Sequence, residues 1–106
     1  MILEDNLKYS IYFELYKNLL TSKQQNFLND YLNKNLSISE LATIYKSSRQ
    51  AVNDLLRRTL KVLDDYENKL HLFKKFDEIK SKIAKIKNLT DSPSTKDMLD
   101  SILEVL

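Results

Sequence analysis

The sequence predicts an all-α protein: an N-terminal helix-turn-helix domain, then a long helix, then a short final helix. Three observations point there. No segment of the 106 residues alternates apolar and polar side chains at period two, so no strand is predicted. Thr21 is followed three positions later by Gln24, and Ser37 by Glu40, the spacing of a capping box that opens a helix. From Arg49 to about Asn88 nothing interrupts a helical apolar pattern. The chain has no glycine and one proline, Pro93, so helix boundaries must be read from Ser, Thr, Asp and Asn.

The first helix is predicted over about residues 5–19, with Leu7, Ile11, Leu15 and Leu19 in steps of four and Tyr12, Tyr16 and Leu20 widening the stripe. Thr21 caps a second helix over residues 22–33, with Phe27, Leu28, Tyr31 and Leu32 as its apolar positions. Asn33 or Asn35 ends it by taking the left-handed backbone that glycine usually supplies. Ser37 opens a third helix over residues 38–45, and Ser48 opens the fourth.

The stretch from Ser37 to Arg58 has the spacing of a helix-turn-helix. Ala42 is the small residue that lets a second helix cross closely, Leu41 and Tyr45 point into the core, and Val52 and Leu55 face inward from the following helix. The glycine expected in the turn falls at Lys46, and a left-handed lysine costs on the order of 1 kcal/mol. With Ala51, Val52, Leu55 and Leu56 buried, Gln50, Asn53, Asp54 and Arg57 share the opposite face, and Arg49 sits in the first turn. Arginine suits guanine, and glutamine or asparagine suits adenine. Ser48, Arg49, Gln50, Asn53 and Arg57 are therefore candidate nucleic-acid-binding residues. The same face also reads as the solvated side of an amphipathic helix, and Asp54 within it would repel phosphate.

The fourth pattern would extend about 60 Å as one helix. Its seam of Val52, Leu56, Thr59, Leu63, Tyr66, Leu70 and Phe73 gives way to Leu72, Phe76, Ile79, Ile83 and Ile86, offset by one residue or about 100°. Residues 1–70 are expected to form the helix-turn-helix domain and residues 71–106 a helical extension that dimerises through the second seam. After the TDSPST loop, Ser94 with Asp97 is expected to cap a last helix bearing Met98, Leu99, Ile102, Leu103 and Leu106. That helix is too short to stand alone and must fold back on the seam or dock on another subunit.

Composition narrows the function classes. Seventeen Lys and Arg against fifteen Asp and Glu leave a net charge of +2, so any nucleic-acid binding must come from a local patch. No apolar run reaches membrane-spanning length, which predicts no membrane insertion. The acidic start MILEDNLKYS is unlike a secretory signal, and a cytoplasmic location is expected. There is no cysteine, His71 has no second ligand at metal spacing, and Asp64-Asp65 reads as a polar face. No catalytic set, metal site or cofactor motif emerges. The lysines between Lys74 and Lys87 read better as a soluble outer face than as a phosphate-tracking stripe.

The stretches LLTSKQQNFLNDYL, SISELATIY and SSRQAVNDLLRRTLKVLDDYENKLHL resemble the YlxM family of small bacterial proteins. The positions that carry the resemblance are Leu19, Leu20, Thr21, Lys23 and Gln24; Ser37, Glu40, Leu41 and Ala42; Ser48 to Val52; Arg58 and Thr59; and Tyr66, Glu67, Lys69 and Leu70. The resemblance implies a fold like region 4 of sigma factors and a regulatory role in the signal recognition particle pathway, with the particle's RNA or its GTPase as partner. Sigma-like, sequence-specific DNA binding is the competing implication, and a helical adaptor that binds only protein is a third.

Overall fold

Two helices begin where their capping boxes place them. Thr21 Oγ1 accepts from the Gln24 amide at 3.1 Å while Gln24 Oε1 accepts from the Thr21 amide at 3.0 Å. Ser37 and Glu40 exchange the same pair of bonds at 3.1 and 3.2 Å. The computed structural model describes residues 3–106 and their side chains from Asn6 on, so the acidic side chains of Glu4 and Asp5 read above lie outside the described residues. Among the described residues there is no strand. The helices are α1 (Leu3–Tyr16), α2 (Ser22–Leu28), α3 (Ile38–Ile44), α4 (Arg49–Leu70), α5 (Leu72–Leu89) and α6 (Pro93–Val105). They fall into two compact units, one ending at Leu70 and one spanning His71–Leu106.

In the first unit, α1, α2 and α3 all pack on α4. Phe13, Tyr16, Phe27, Leu28, Leu41, Val52, Leu56, Leu60 and Leu63 form the core. The face that α1 buries differs in part from the predicted one. Leu7 and Leu19, the ends of the four-residue stripe, are 64% and 52% exposed and Phe13, outside the stripe, is buried, whereas Tyr16 is buried as the stripe predicts. The cause lies in α4, where Glu67 is buried and accepts from the Tyr16 hydroxyl at 2.5 Å. Nearby, the Tyr9 hydroxyl donates to Asp64 at 2.9 Å. Burying a tyrosine requires a partner for its hydroxyl. The polar demand of these pairs turns α1 toward its aromatic side, and Glu67, outside the predicted seam, is buried while Leu70 within it is exposed. Burial raises the Tyr12 pKa, and the carboxylates of Glu67 and Asp64 raise it further.

α1 tightens into a 3₁₀ turn over Lys17–Leu19, and α2 widens over Asn29–Asn33 into a π-helical turn, where the Lys34 amide reaches back to the Asn29 carbonyl at 3.1 Å. Asn35 then takes a left-handed backbone (φ 59°), as expected of one of the two asparagines.

The long helix is two helices. His71 is left-handed (φ 56°) and exposed, and it separates α4 from α5 at the place where the two seams differ in phase. One continuous helix would point the seams about 100° apart.

In the second unit α6 packs on α5, burying Ile83 and Leu99 and pairing Lys87 Nζ with Asp100 at 2.5 Å. Of the predicted dimer seam, Ile83 is therefore covered within the chain and Leu72 and Phe76 are half-buried, while Ile79 and Ile86 remain exposed. The cap of α6 is Ser92, not Ser94: Ser92 Oγ accepts from the Thr95 amide at 3.3 Å and Pro93 occupies the first turn, where its missing N–H costs nothing.

Candidate nucleic-acid interface

The turn between α3 and α4 is built without glycine. Tyr45 ends α3, Lys46 takes φ 52°, the Lys46 amide bonds to the Thr43 carbonyl at 3.3 Å, and the Ser47 amide bonds to the Ala42 carbonyl at 3.0 Å. These two bonds form a Schellman motif, which satisfies the last carbonyls of α3 and redirects the chain. Ser48 then starts α4, its Oγ accepting from the Ala51 amide at 3.1 Å. The predicted left-handed lysine and the predicted cap are both present.

Tyr45 also anchors the corner. Its ring meets Phe27 edge-on with centroids 5.6 Å apart, and its hydroxyl donates to Asp30 Oδ2 at 2.7 Å. The tyrosine bond, aided by Lys34 at 3.1 Å, holds the Asp30 carboxyl below its ordinary pKa against the opposing effect of burial. Burial and the carboxylate together push the Tyr45 hydroxyl up to about 12. The π-helical turn carries Asp30 and so joins α2 to the end of α3, which fixes the turn against the core.

From this base α4 runs with Val52, Leu56, Thr59 and Leu60 buried. Thr59 satisfies its hydroxyl by donating to the Leu55 carbonyl at 2.7 Å. The inward set differs in part from the predicted one: Leu55 is half-buried and Ala51 is exposed. The seam at this end centres on Val52 and Leu56, and α3 is too short to reach both flanks.

The five candidate residues are not equivalent. Arg49 and Gln50 are exposed in the first turn of α4, and Arg49 borders a shallow open hollow with Ser39, Thr43 and Ser47. Ser48 is exposed but its hydroxyl is engaged as the cap. Asn53 is half-buried, which leaves part of its amide accessible. Arg57 is exposed and pairs with Asp54 at 3.3 Å, so the acid in the face is partly neutralised by its neighbour.

Ser39, Thr43, Lys46 and Ser47 complete a polar rim on the α3 side that the helical periodicity of α4 alone does not reveal. The available signal is the i, i+4 pair Ser39 and Thr43, which share one face of α3. Arg58 also lies exposed beside Asp54 and Arg57.

The arrangement can offer a guanidinium and a carboxamide from a helix N-terminus, flanked by hydroxyls and backbone amides. That set can pair with base edges and phosphate oxygens. It contains no nucleophile–base pair, and among the described residues no cluster of acidic or histidine side chains could hold a metal ion. Likewise, no helix among the described residues is long and apolar enough to cross a membrane.

The chain is similar to known helix-turn-helix proteins. A family described as "Putative helix-turn-helix protein, YlxM / p13 like" matches residues 3–103. The chain is 38% identical to the UPF0122 protein YlxM of Bacillus subtilis over 106 residues, covering all of this chain and 96% of that protein. A UPF0122 protein of Bacillus velezensis is 39% identical with the same coverage, and one of Clostridium novyi is 39% identical over 97% of this chain and 93% of its own length.

Proposed function

The chain belongs to the YlxM / p13-like helix-turn-helix family, and from that premise we propose that it is a non-enzymatic regulatory protein that binds nucleic acid through the first turns of α4. The observation that carries this reading is the placement of Arg49 and Gln50: both face solvent in the first turn of a helix whose Val52 and Leu56 are buried behind them. The cap at Ser48 and the left-handed Lys46 fix the direction of that turn. In a helix-turn-helix complex the N-terminal residues of the second helix reach base edges while the first helix crosses the backbone. Exposed Ser39 on α3 is then available to phosphate, whereas the Thr43 hydroxyl proton is held by the Ser39 carbonyl at 3.2 Å. A cytoplasmic location accords with such binding.

Duplex DNA is the target this geometry favours. Its major groove admits a helix, whereas the deep, narrow major groove of A-form RNA does not. Selection from random duplexes is expected to enrich a defined site. Arg49→Ala and Gln50→Ala should each lower affinity for that site by about 1–3 kcal/mol with relaxed specificity at one position. Enrichment of no sequence removes the DNA reading.

A second reading is favoured by the small net charge and by Asp54 within the face, which limit the phosphate grip on a duplex. Here the same face reads a single-stranded or looped RNA, where base edges are accessible with fewer phosphate contacts. The family resemblance implies the RNA of the signal recognition particle, with its GTPase as a protein partner. Gel shift with that RNA and pull-down with that GTPase separate this reading from the first. Binding to neither, together with failure of the duplex selection, leaves the adaptor role.

A further inference from the structure

The carboxylate of Asp54 occupies the centre of the outward face of α4. Residues advance by about 100° along a helix. Val52, Leu56, Thr59, Leu60 and Leu63 are buried, and on that spacing Leu63 lies in the middle of their arc. Asp54, nine residues before Leu63, points about 180° away from it. Gln50 and Arg57 fall about 40° and 60° to one side of Asp54, and Arg58 about 40° to the other. The Asp54 side chain is 52% exposed. It belongs to the second turn of α4, about 7.5 Å beyond Arg49 along the axis.

That place is unfavourable for a carboxylate beside DNA unless something there donates to it. An ionised carboxylate only accepts hydrogen bonds, and phosphate repels it. The chain's net charge of +2 does little to offset that repulsion. The neighbouring arginines do not cancel the charge. Arg57 Nη2 meets Asp54 Oδ1 at 3.3 Å, an exposed pair of small energy. Arg58 Nε is turned to the Asp54 backbone carbonyl at 3.4 Å. The carboxylate therefore faces outward as an acceptor with a guanidinium beside it.

Base edges in the major groove differ in how they suit such a group. Cytosine offers the N4 amine, adenine sets its N6 amine beside the acceptor N7, and guanine and thymine offer acceptors without a donor. Cytosine alone presents a donor with no acceptor next to it. Its partner guanine presents O6 and N7, which suit a guanidinium. Arg57 has five N–H donors, so it can keep its contact with Asp54 while offering the others. The acid and the base at i and i+3 thus match the two halves of a C·G pair. Opposite any other pair the carboxylate is desolvated without a matching donor.

We infer that Asp54 determines specificity: its carboxylate accepts from the N4 amine of a cytosine in the major groove, with the Arg57 guanidinium on the guanine side. The inference rests on the reading of α4 as a duplex-binding helix and names the base that this helix requires.

Selection from random duplexes with the full chain tests it, followed by anisotropy titration of the enriched duplex with each of the four base pairs at the position concerned. Wild type is expected to enrich C·G at one position and to bind it roughly five- to hundredfold more tightly than G·C or T·A there. Asp54→Ala should bring that ratio within about twofold while preferences elsewhere in the site persist. It should also raise affinity for unrelated duplex, because a charge that repels phosphate is gone. Asp54→Asn should move the preference to A·T, the pair that a carboxamide matches. Asp54 is exposed, and an unchanged thermal melt by circular dichroism checks that both variants fold. A defined site without such a cytosine overturns the inference and leaves duplex binding standing. So does a site whose base preferences are the same in wild type and both variants. A uniform loss of affinity for all duplexes in Asp54→Ala overturns it as well, by making the residue structural. Enrichment of no duplex overturns both the inference and the reading beneath it.

Discussion

Among the described residues, the unit that ends at Leu70 buries twelve side chains, whereas His71–Leu106 buries only Ile83 and Leu99. The two units draw on similar residues: both carry leucine and isoleucine at helical spacing, and both use serine caps. What separates them is the number of helices that converge. In the first unit three helices close around α4, so Leu63 and Leu41 lose all contact with water. In the second a single pair leaves every flank open. An apolar pattern becomes a core only where enough partners converge on it, which makes the second unit an incomplete core and the first a finished one.

The largest expected effect breaks the comparison at its centre. Leu63→Ala empties a fully buried site in the first unit and should cost about 2–5 kcal/mol, read as a drop in the urea midpoint that is the same at 1 and 100 µM protein. Leu99→Ala is the matching deletion in the second unit. If that core is completed by a second copy, its cost should depend on protein concentration. A concentration-independent loss at Leu99 as large as that at Leu63 would show that the second unit is as self-sufficient as the first.

The comparison also separates what the sequence disclosed from what it hid. Caps were legible at Thr21, Ser37 and Ser48 because each is decided by a few neighbouring residues. The left-handed positions Asn35 and Lys46 were legible for the same reason. So was the exposed placement of Arg49 and Gln50, which follows from a buried Val52 and Leu56.

The buried face of α1 was only partly legible: Tyr16 lay in the predicted stripe, but counting apolar residues favours Leu7 and Leu19 over Phe13 and cannot foresee that Tyr16 finds Glu67, 51 residues away. The break at His71 was visible only as a phase offset between seams; no glycine or proline marks it. The spacing of Ser94 to Asp97 resembles a capping box, but Pro93 in the first helical position makes Ser92 the cap. A contact between residues distant in sequence decided the first of these cases, whereas the Ser92 cap is a local signal that the spacing at Ser94 masked.

A smaller effect sharpens the comparison within the first unit. Tyr45→Phe removes the bond to Asp30 that ties α2 to the helix-turn-helix corner, at an expected cost of about 1 kcal/mol at neutral pH, since the carboxylate is only partly shielded from water. The Asp30 pKa is depressed in the folded state. Its contribution is therefore complete above the unfolded carboxylate pKa near 3.9 and is lost as pH falls through the lower folded value. Wild type and Tyr45→Phe should differ at pH 6 and converge as pH falls through the lowered folded pKa of Asp30. A stability gap that stays constant down to pH 2 would rule out the ionised Asp30 as the acceptor that matters.

The smallest effect tests the two left-handed corners against each other. Lys46 and His71 have nearly the same φ, 52° and 56°, and neither is a glycine. Glycine relieves a left-handed strain of about 1 kcal/mol and returns part of it through the greater freedom of the unfolded chain. Lys46→Gly should thus stabilise the first unit by about 0.5 kcal/mol, or roughly 2–4 °C. His71→Gly relieves the same strain at a junction that no finished core depends on, so the main thermal transition should stay where it is. Identical shifts of one shared transition by both substitutions would mean that the two units unfold as one, and the division at Leu70 would then describe packing density without marking a boundary of cooperativity.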